Sequence, residues 1–303
     1  MQYKRIKRPI DGVLLLDKPV GLSSNQALQQ AKYLYQAAKA GHTGSLDPFA
    51  TGLLPVCLGE ATKFSHFLLD ADKTYRATMQ MGATTTTGDT EGEIVTRAEV
   101  HVTRVQMEDV LRRFAGDISQ VPPMYSALKH QGKALYEYAR AGVEIERPAR
   151  AVTIHHITLN NLMESSAEIT VSCSKGTYIR TLAEDIGKTL GCGAHLTQLR
   201  RLQTGCFGLA QAVTLEQLEA MTMEQREACL LPPDRLIQQL PAVYLDEESA
   251  YYLCRGQAVW KSGVTQRGFL RLYAEPQRFL GLGEVADDGK IAPRRLVNSP
   301  QQM

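Results

Sequence analysis

Paired cysteines, histidine pairs at helical spacing, glycine-rich phosphate cradles and long apolar runs are all missing from this 303-residue chain. Its six cysteines, at 57, 173, 192, 206, 229 and 254, never form Cys-x-x-Cys, which argues against a zinc site and a disulfide framework alike. They read instead as buried small hydrophobes. The seven histidines show no His-x-x-x-His spacing, and adjacent His155 and His156 would face opposite sides of a strand, so no metal is implied. Neither a Gly-x-x-x-x-Gly-Lys-Ser/Thr run nor a Gly-x-Gly-x-x-Gly fingerprint occurs, so nothing points to a nucleotide cofactor. The longest stretch free of Asp, Glu, Lys and Arg, Leu202 to Leu215, carries Gln, Thr and Gly and falls short of the roughly 20 apolar residues a membrane helix needs. The basic N-terminus, Met1 to Arg8, is followed by no apolar core of a secretory signal, so the expected setting is the cytoplasm, away from membranes.

Hydrophobic residues at 44% and charged ones at 22% are ordinary for a globular protein long enough for one large domain and a small one. A formal charge of +2 is too small to announce a nucleic-acid partner. Local clusters say more. Lys4-Arg5-Lys7-Arg8, Lys129-His130 with Lys133, Arg147 with Arg150, Arg200-Arg201 and Arg294-Arg295 are dispersed basic groups, as expected if the protein tracks phosphates over an extended surface. Taken one at a time, each is equally a solvated face.

The most informative segment is Gly41-His42-Thr43-Gly44-Ser45-Leu46-Asp47-Pro48-Phe49-Ala50-Thr51-Gly52. It holds one carboxylate in a glycine-bounded turn, with no second acid close by in sequence. The glycines allow the backbone to lie tightly against a flat ligand. Two local readings of Asp47 stand side by side. Pro48 presets a first helical residue, which makes Asp47 the N-cap of a short helix through Phe49 and Ala50; the other reading is covalent or base chemistry.

This segment, with Gly59-Glu60-Ala61-Thr62-Lys63 after it, resembles the catalytic motif of the TruB family of tRNA pseudouridine synthases. Leu16-Asp17-Lys18-Pro19, Lys73-Thr74-Tyr75-Arg76, Pro123-Met124-Tyr125-Ser126-Ala127 and Lys175-Gly176-Thr177-Tyr178-Ile179-Arg180 follow the family order. The likeness runs from about Gly12 to Leu202, and a weaker one to a PUA-type RNA-binding domain covers the C-terminus.

The resemblance implies an α+β fold: a mixed, mainly antiparallel sheet flanked by helices over residues 1–242, then a small PUA-like β-barrel over 243–303. It also implies an isomerase that converts uridine 55 in the T-arm loop of tRNA to pseudouridine without a cofactor; a monomer is the expected state. By the same likeness Asp47 is the acting carboxylate and Arg180 its partner. Tyr75 lies face-on against the flipped uracil, Tyr178 and Leu199 line the pocket, and His42 fills the space the base vacates. Residues of about 122–150 grip the RNA arm, with Lys129, Lys133 and Arg140 as backbone contacts suited by charge. Lys18 and Glu60 match family blocks as scaffolding. Asp47 could add to C6, attack C1′ or remove the C2′ proton, and the sequence leaves these routes open. Two rivals are a noncatalytic tRNA-binding or folding protein on the same fold, and an aspartyl hydrolase, disfavoured because Phe49 stands where a second Asp would be needed.

Read locally, the elements run in order. Gly12 to Asp17 is a buried strand, and Ser23 or Ser24 caps a helix that ends at Gly41. Thr74 to Gly82 alternates with Tyr75, Ala77, Met79 and Met81 on one face. Thr103 to Phe114 is an amphipathic helix, and Lys133 to Ala141 a short one. Strands near Ala151 to Ile157 and Glu168 to Cys173 precede a helix capped by Thr177, and a strand from about His195 to Gln203 follows. Thr214-x-x-Gln217 is a capping box. A helix over Glu247 to Arg255 leads into several short strands with glycine turns, the pattern of a small barrel.

Overall fold

Alternation in Lys73–Met81 builds the centre of the molecule: Tyr75, Ala77, Met79 and Met81 are buried, and the residues between them less so. The computed structural model describes residues 7–298; Lys4 and Arg5 of the N-terminal basic cluster lie outside them. The central strand belongs to a ten-stranded sheet. Its order is Leu230–Leu231, Gly12–Lys18, Thr51–Leu58, Ala194–Thr204, Lys73–Met81, Ser166–Cys173, Arg150–Leu162 and Gly116–Gln120, with Ala40–His42 beside Thr51–Leu58 and Phe207–Gly208 beside Ala194–Thr204. Every pairing is antiparallel except that of Thr51–Leu58 with Ala194–Thr204, which rests on Arg200 opposite Thr51 and Arg201 opposite Gly52. Gly52 is required there, since its φ is +101° and a Cβ would come within 2.3 Å of the Arg201 carbonyl oxygen.

The strand Gly12–Lys18 is apolar throughout because both its faces are covered. Leu14 and Leu16 pack with the helices Ser24–Leu34 and Leu215–Ala220, while Val13 and Leu15 enter a cluster with Leu53, Phe64 and Leu282 on the other side. A third cluster joins the central strands to the helices Arg104–Arg113 and Ile179–Thr189 through Met107, Leu182 and Ile186. Four further strands, Ala242–Leu245, Gly268–Ala274, Arg278–Val285 and Ile291–Leu296, form a separate sheet in that order, the first pair parallel and the others antiparallel, with the helix Glu247–Cys254 alongside.

Several local expectations change. The first helix stops at Leu34, not near Gly41: Gln36 turns to φ +52°, Gln36 and Ala37 donate back to Tyr33 and Lys32, and the Ala38 amide pairs with Arg8. Asp47 caps no helix, because Pro48 and Phe49 form a single turn closed by the Ala50 amide on the Asp47 carbonyl at 3.1 Å. Thr177 does not cap Ile179–Thr189; its hydroxyl donates to Ser174 instead, and Tyr178 takes the cap position. A bulge between Ile154 and His156 leaves both His155 and His156 exposed. Cys206 is exposed and Cys229 and Cys254 are half-buried, so only Cys57, Cys173 and Cys192 behave as core residues.

Candidate active site

Four neighbours clamp the turn that carries Asp47. The Ser24 hydroxyl accepts from the Leu46 amide at 2.7 Å and donates to the Leu46 carbonyl at 3.0 Å. The Gly21 amide donates to the Pro48 carbonyl at 2.8 Å. Lys18, completely buried, directs Nζ to the carbonyls of Pro19 at 2.8 Å, Leu22 at 2.6 Å and Pro48 at 3.4 Å. Burial pulls its pKa down to about 8, against the attraction of Asp47. Behind the turn, Arg201 donates to the carbonyls of Gly44 and Ser45. The backbone is therefore held from several sides, and the carboxylate is left to face elsewhere.

It faces Arg180. Position 180 sits in the first turn of Ile179–Thr189, where a cation opposes the helix dipole. Partners offset that cost: Nε lies 3.0 Å from an Asp47 carboxylate oxygen and 3.6 Å from one of Asp89, while the terminal nitrogens donate to the Thr87 carbonyl at 2.9 Å and the Tyr125 carbonyl at 2.6 Å. Asp47 thus shares its arginine with a second acid, which the spacing of the sequence did not suggest. Asp89 is buried and held by the Thr87 hydroxyl and the Glu91 amide. Burial raises the Asp47 pKa above the usual carboxylate value, Arg180 opposes this, and the Asp89 charge adds to the rise. The Asp47 side chain still keeps 37% of its surface open against 5% for Arg180, so full desolvation awaits whatever fills the cavity before it.

That cavity has a volume of about 360 Å³, within the range of small-ligand sites. Asp47, Tyr75, Tyr178, Arg180 and Leu199 all line it, so one space gathers these five expected residues. Burial raises the pKa of the Tyr75 phenol, with Arg201 opposing, and raises that of Tyr178 as well. His42 is not in the lining; it ends the strand Ala40–His42 with a buried Nδ1 that finds no hydrogen-bond partner among the described residues, and burial lowers its pKa. Lys129, Lys133 and Arg140 also lie outside the cavity. They occupy the excursion that hangs from Ser126 to Leu128 at its rim, where Lys133 stands over the Tyr138 ring and Arg140 over that of Tyr136.

Two groups escaped the sequence reading. In the sequence Asp89 is one residue of a glycine-bounded segment, Gly88 to Gly92, with nothing to mark it out. As half of a basic pair Arg201 is expected at the surface, yet it is 1% exposed and lines the cavity, whereas Arg200 turns outward to Asp17 at 2.6 Å. The signal was available, since a strand that points Leu199 into a pocket must point Arg201 there too.

An arginine-paired carboxylate with tyrosines around one cavity, on a mixed sheet with a helical flank, defines a class of small-cavity enzyme sites. Comparison with known proteins narrows it. Residues 32–179 match the TruB family pseudouridylate synthase N-terminal domain, 180–240 the tRNA pseudouridylate synthase B C-terminal domain, and 241–297 the C-terminal part of pseudouridine synthase II TruB. A protein of Methylobacillus flagellatus named tRNA pseudouridine synthase B is 66% identical over 297 residues, covering 98% of each chain. One of the same name from Pseudomonas aeruginosa is 56% identical over 302 residues, covering 98% of this chain and 99% of the other. Among solved structures, a chain of a Cbf5-Nop10-Gar1 complex superposes with a TM-score of 0.69 at 25% identity, covering 95% of this chain and 84% of its own. A chain of an H/ACA RNP bound to a substrate RNA containing 2'-deoxyuridine gives 0.70 at 23%, covering 96% and 86%, a likeness of fold. The chain belongs to the TruB family of pseudouridine synthases.

Proposed function

We propose that this protein isomerises uridine 55 in the T-arm loop of tRNA to pseudouridine, without a cofactor, with Asp47 as the carboxylate that acts on a flipped-out nucleotide. The reaction breaks C1′–N1 and joins C1′ to C5; the C5 proton leaves and N1 gains one, so atoms and electrons balance with no co-reactant. The observation that carries the reading is the convergence of Asp47, Arg180, Tyr75, Tyr178 and Leu199 on one cavity. Tyr75 supplies a flat face for the base, where stacking contributes roughly 1 to 3 kcal/mol. A base reaches such a cavity only by leaving its stack, and His42 takes the vacated space. The excursion with Lys129, Lys133 and Arg140 holds phosphates, and the sheet after Ala242 serves as a PUA-like second RNA contact. The protein works as a cytoplasmic monomer in this reading, with a catalytic domain over 1–242 and an RNA-binding domain over 243–303.

Transcribed tRNA carrying tritium at uridine C5, incubated with the protein and a chelator, tests it. One equivalent of label per target site is expected in the water, and a protein that only binds or folds tRNA releases none. Asp47→Asn should abolish release and leave tRNA affinity nearly unchanged, because phosphate contacts supply most of the attraction. Release by the Asn variant at the wild-type rate defeats the assignment of Asp47.

A further inference from the structure

Arg201 is the largest of the fully buried side chains among the described residues. Its guanidinium donates to three carbonyls, Leu53 at 2.7 Å through Nε, Gly44 at 3.2 Å and Ser45 at 3.4 Å through the terminal nitrogens. Among the described residues no carboxylate pairs with it. A buried cation without a counter-charge is a net cost to folding, and an apolar side chain of similar volume would fill the space without that cost. What Arg201 touches explains why a charge stands there. Gly44 and Ser45 lie just before Asp47 in the clamped loop. In the sheet, Arg201 stands directly opposite Tyr75 on one side and Gly52 on the other, so its backbone and its side chain both reach the cavity wall. Gly44, at φ +85°, lies beside it: a Cβ there would rest in ordinary contact with the Arg201 guanidinium and the Lys73 stem, each at 3.7 Å. The titratable and charged groups around the Tyr75 phenol are Arg201, Cys173 and Asp47, and Arg201 also acts on Lys73, Lys18 and His42.

We propose that Arg201 is a positioning residue of the isomerisation, fixing the Gly44–Asp47 backbone and the Tyr75 ring in one relation and setting a positive field behind them. The proposal rests on the function read above. When C1′–N1 breaks heterolytically, the electron pair stays with the uracil and C1′ is left electron-deficient; the base is anionic until its C5 bonds to C1′, after which C5 releases its proton and N1 gains one. A fixed positive charge in a dry wall favours that anion over the neutral bound nucleotide, which is differential stabilisation.

The test measures single-turnover pseudouridine formation at saturating tRNA, tRNA affinity by filter binding, and thermal unfolding, for Arg201→Met, Arg201→Lys, Tyr75→Phe and the combined Arg201→Lys with Tyr75→Phe. Arg201→Met is expected to slow turnover by about 10²- to 10³-fold, the size seen when one preorganised donor is removed, with tRNA affinity retained. Arg201→Lys restores the charge without the three-way grip and should fall between Met and wild type. Its loss should also combine with that of Tyr75→Phe to less than the product, because coupled neighbours are not additive. A residue that only supports the fold would lower the unfolding temperature and leave the rate per folded molecule unchanged. Unchanged rates, or losses that multiply, overturn the proposal, as does failure of both Arg201 variants to fold. Absence of label release from the wild-type protein instead defeats the underlying function.

Discussion

Arg180 decides the chemistry open to Asp47, because among the described residues it is the one cation that ion-pairs with both carboxylates of the site. Its Nε makes the 3.0 Å contact while its other nitrogens are committed to Thr87 and Tyr125, so all parts of the planar group are used at once. A lysine keeps the charge but offers one point in place of a fork. Arg180→Lys should therefore reduce the rate of label release by about 10²-fold or more with little change in tRNA affinity, the cost of misplacing a reacting group by about 1 Å; equal turnover would remove Arg180 from the machinery. The pH profile follows from the same contacts. In the proposed reaction Asp47 works as the anion, and burial lifts its pKa above 3.8, so single-turnover rates should fall as pH drops through a limb above the ordinary carboxylate value. The Asp89 charge contributes to that rise. Removing it favours ionised Asp47, and Asp89→Asn should move the limb toward more acid pH. A limb that stays in place or moves the other way shows that Asp89 does not act on Asp47 through its charge.

At the scale of elements, crowding separates glycines that share the same backbone freedom. Gly21 and Gly52 both have positive φ, +85° and +101°, but nothing lies within 4 Å of a Cβ on Gly21, whereas one on Gly52 would strike the Arg201 backbone. Gly21→Ala should lower stability by about 1 kcal/mol, the strain of a left-handed residue alone. Gly52→Ala should break the Arg201 pairing and lower both the urea midpoint and the turnover far more; equal effects of the two substitutions would rule out the contact. Such elements were largely legible beforehand. Alternation located Lys73–Met81, an amphipathic pattern located Arg104–Arg113 and a capping box located Leu215–Ala220, because these signals are local. What escaped was set by distant partners: the early end of Ser24–Leu34 depends on Arg8, and the pairing of Asp89 with Arg180 depends on a turn that packs back onto Leu196. Asp47 looked solitary for the same reason, since no spacing rule carries a residue from position 89 to position 47. Its place in a motif was legible, but its electrostatic setting was not.

At the scale of the molecule, the C-terminal sheet is built into the catalytic core. Leu282, on Arg278–Val285, is 3% exposed within the cluster that contains Val13, Leu15, Leu53 and Phe64. Phe279 meets Phe64 edge to face at 5.6 Å. The Lys63 ammonium reaches the Leu296 carbonyl at 2.7 Å, and the Asn298 amide donates to Glu60, which gives the Gly59 to Lys63 block a supporting role at this junction. Strands of the central sheet therefore bury one of their faces under residues that come from the far end of the chain. If the two sheets unfolded separately, Gly12–Lys18 and Thr51–Leu58 would expose Val13, Leu15 and Leu53 to water while the rest of the fold survived, at roughly 1.5 to 3 kcal/mol for each side chain uncovered. That penalty joins the two transitions into one. Scanning calorimetry should show a single unfolding peak, and Leu282→Ala, by opening a cavity at the junction, should move the whole peak down with a loss of about 2 to 5 kcal/mol. Two resolved peaks, or a shift confined to a minor transition, would mean that the sheets are independent and that an RNA contact made by one is not transmitted through packing to the other.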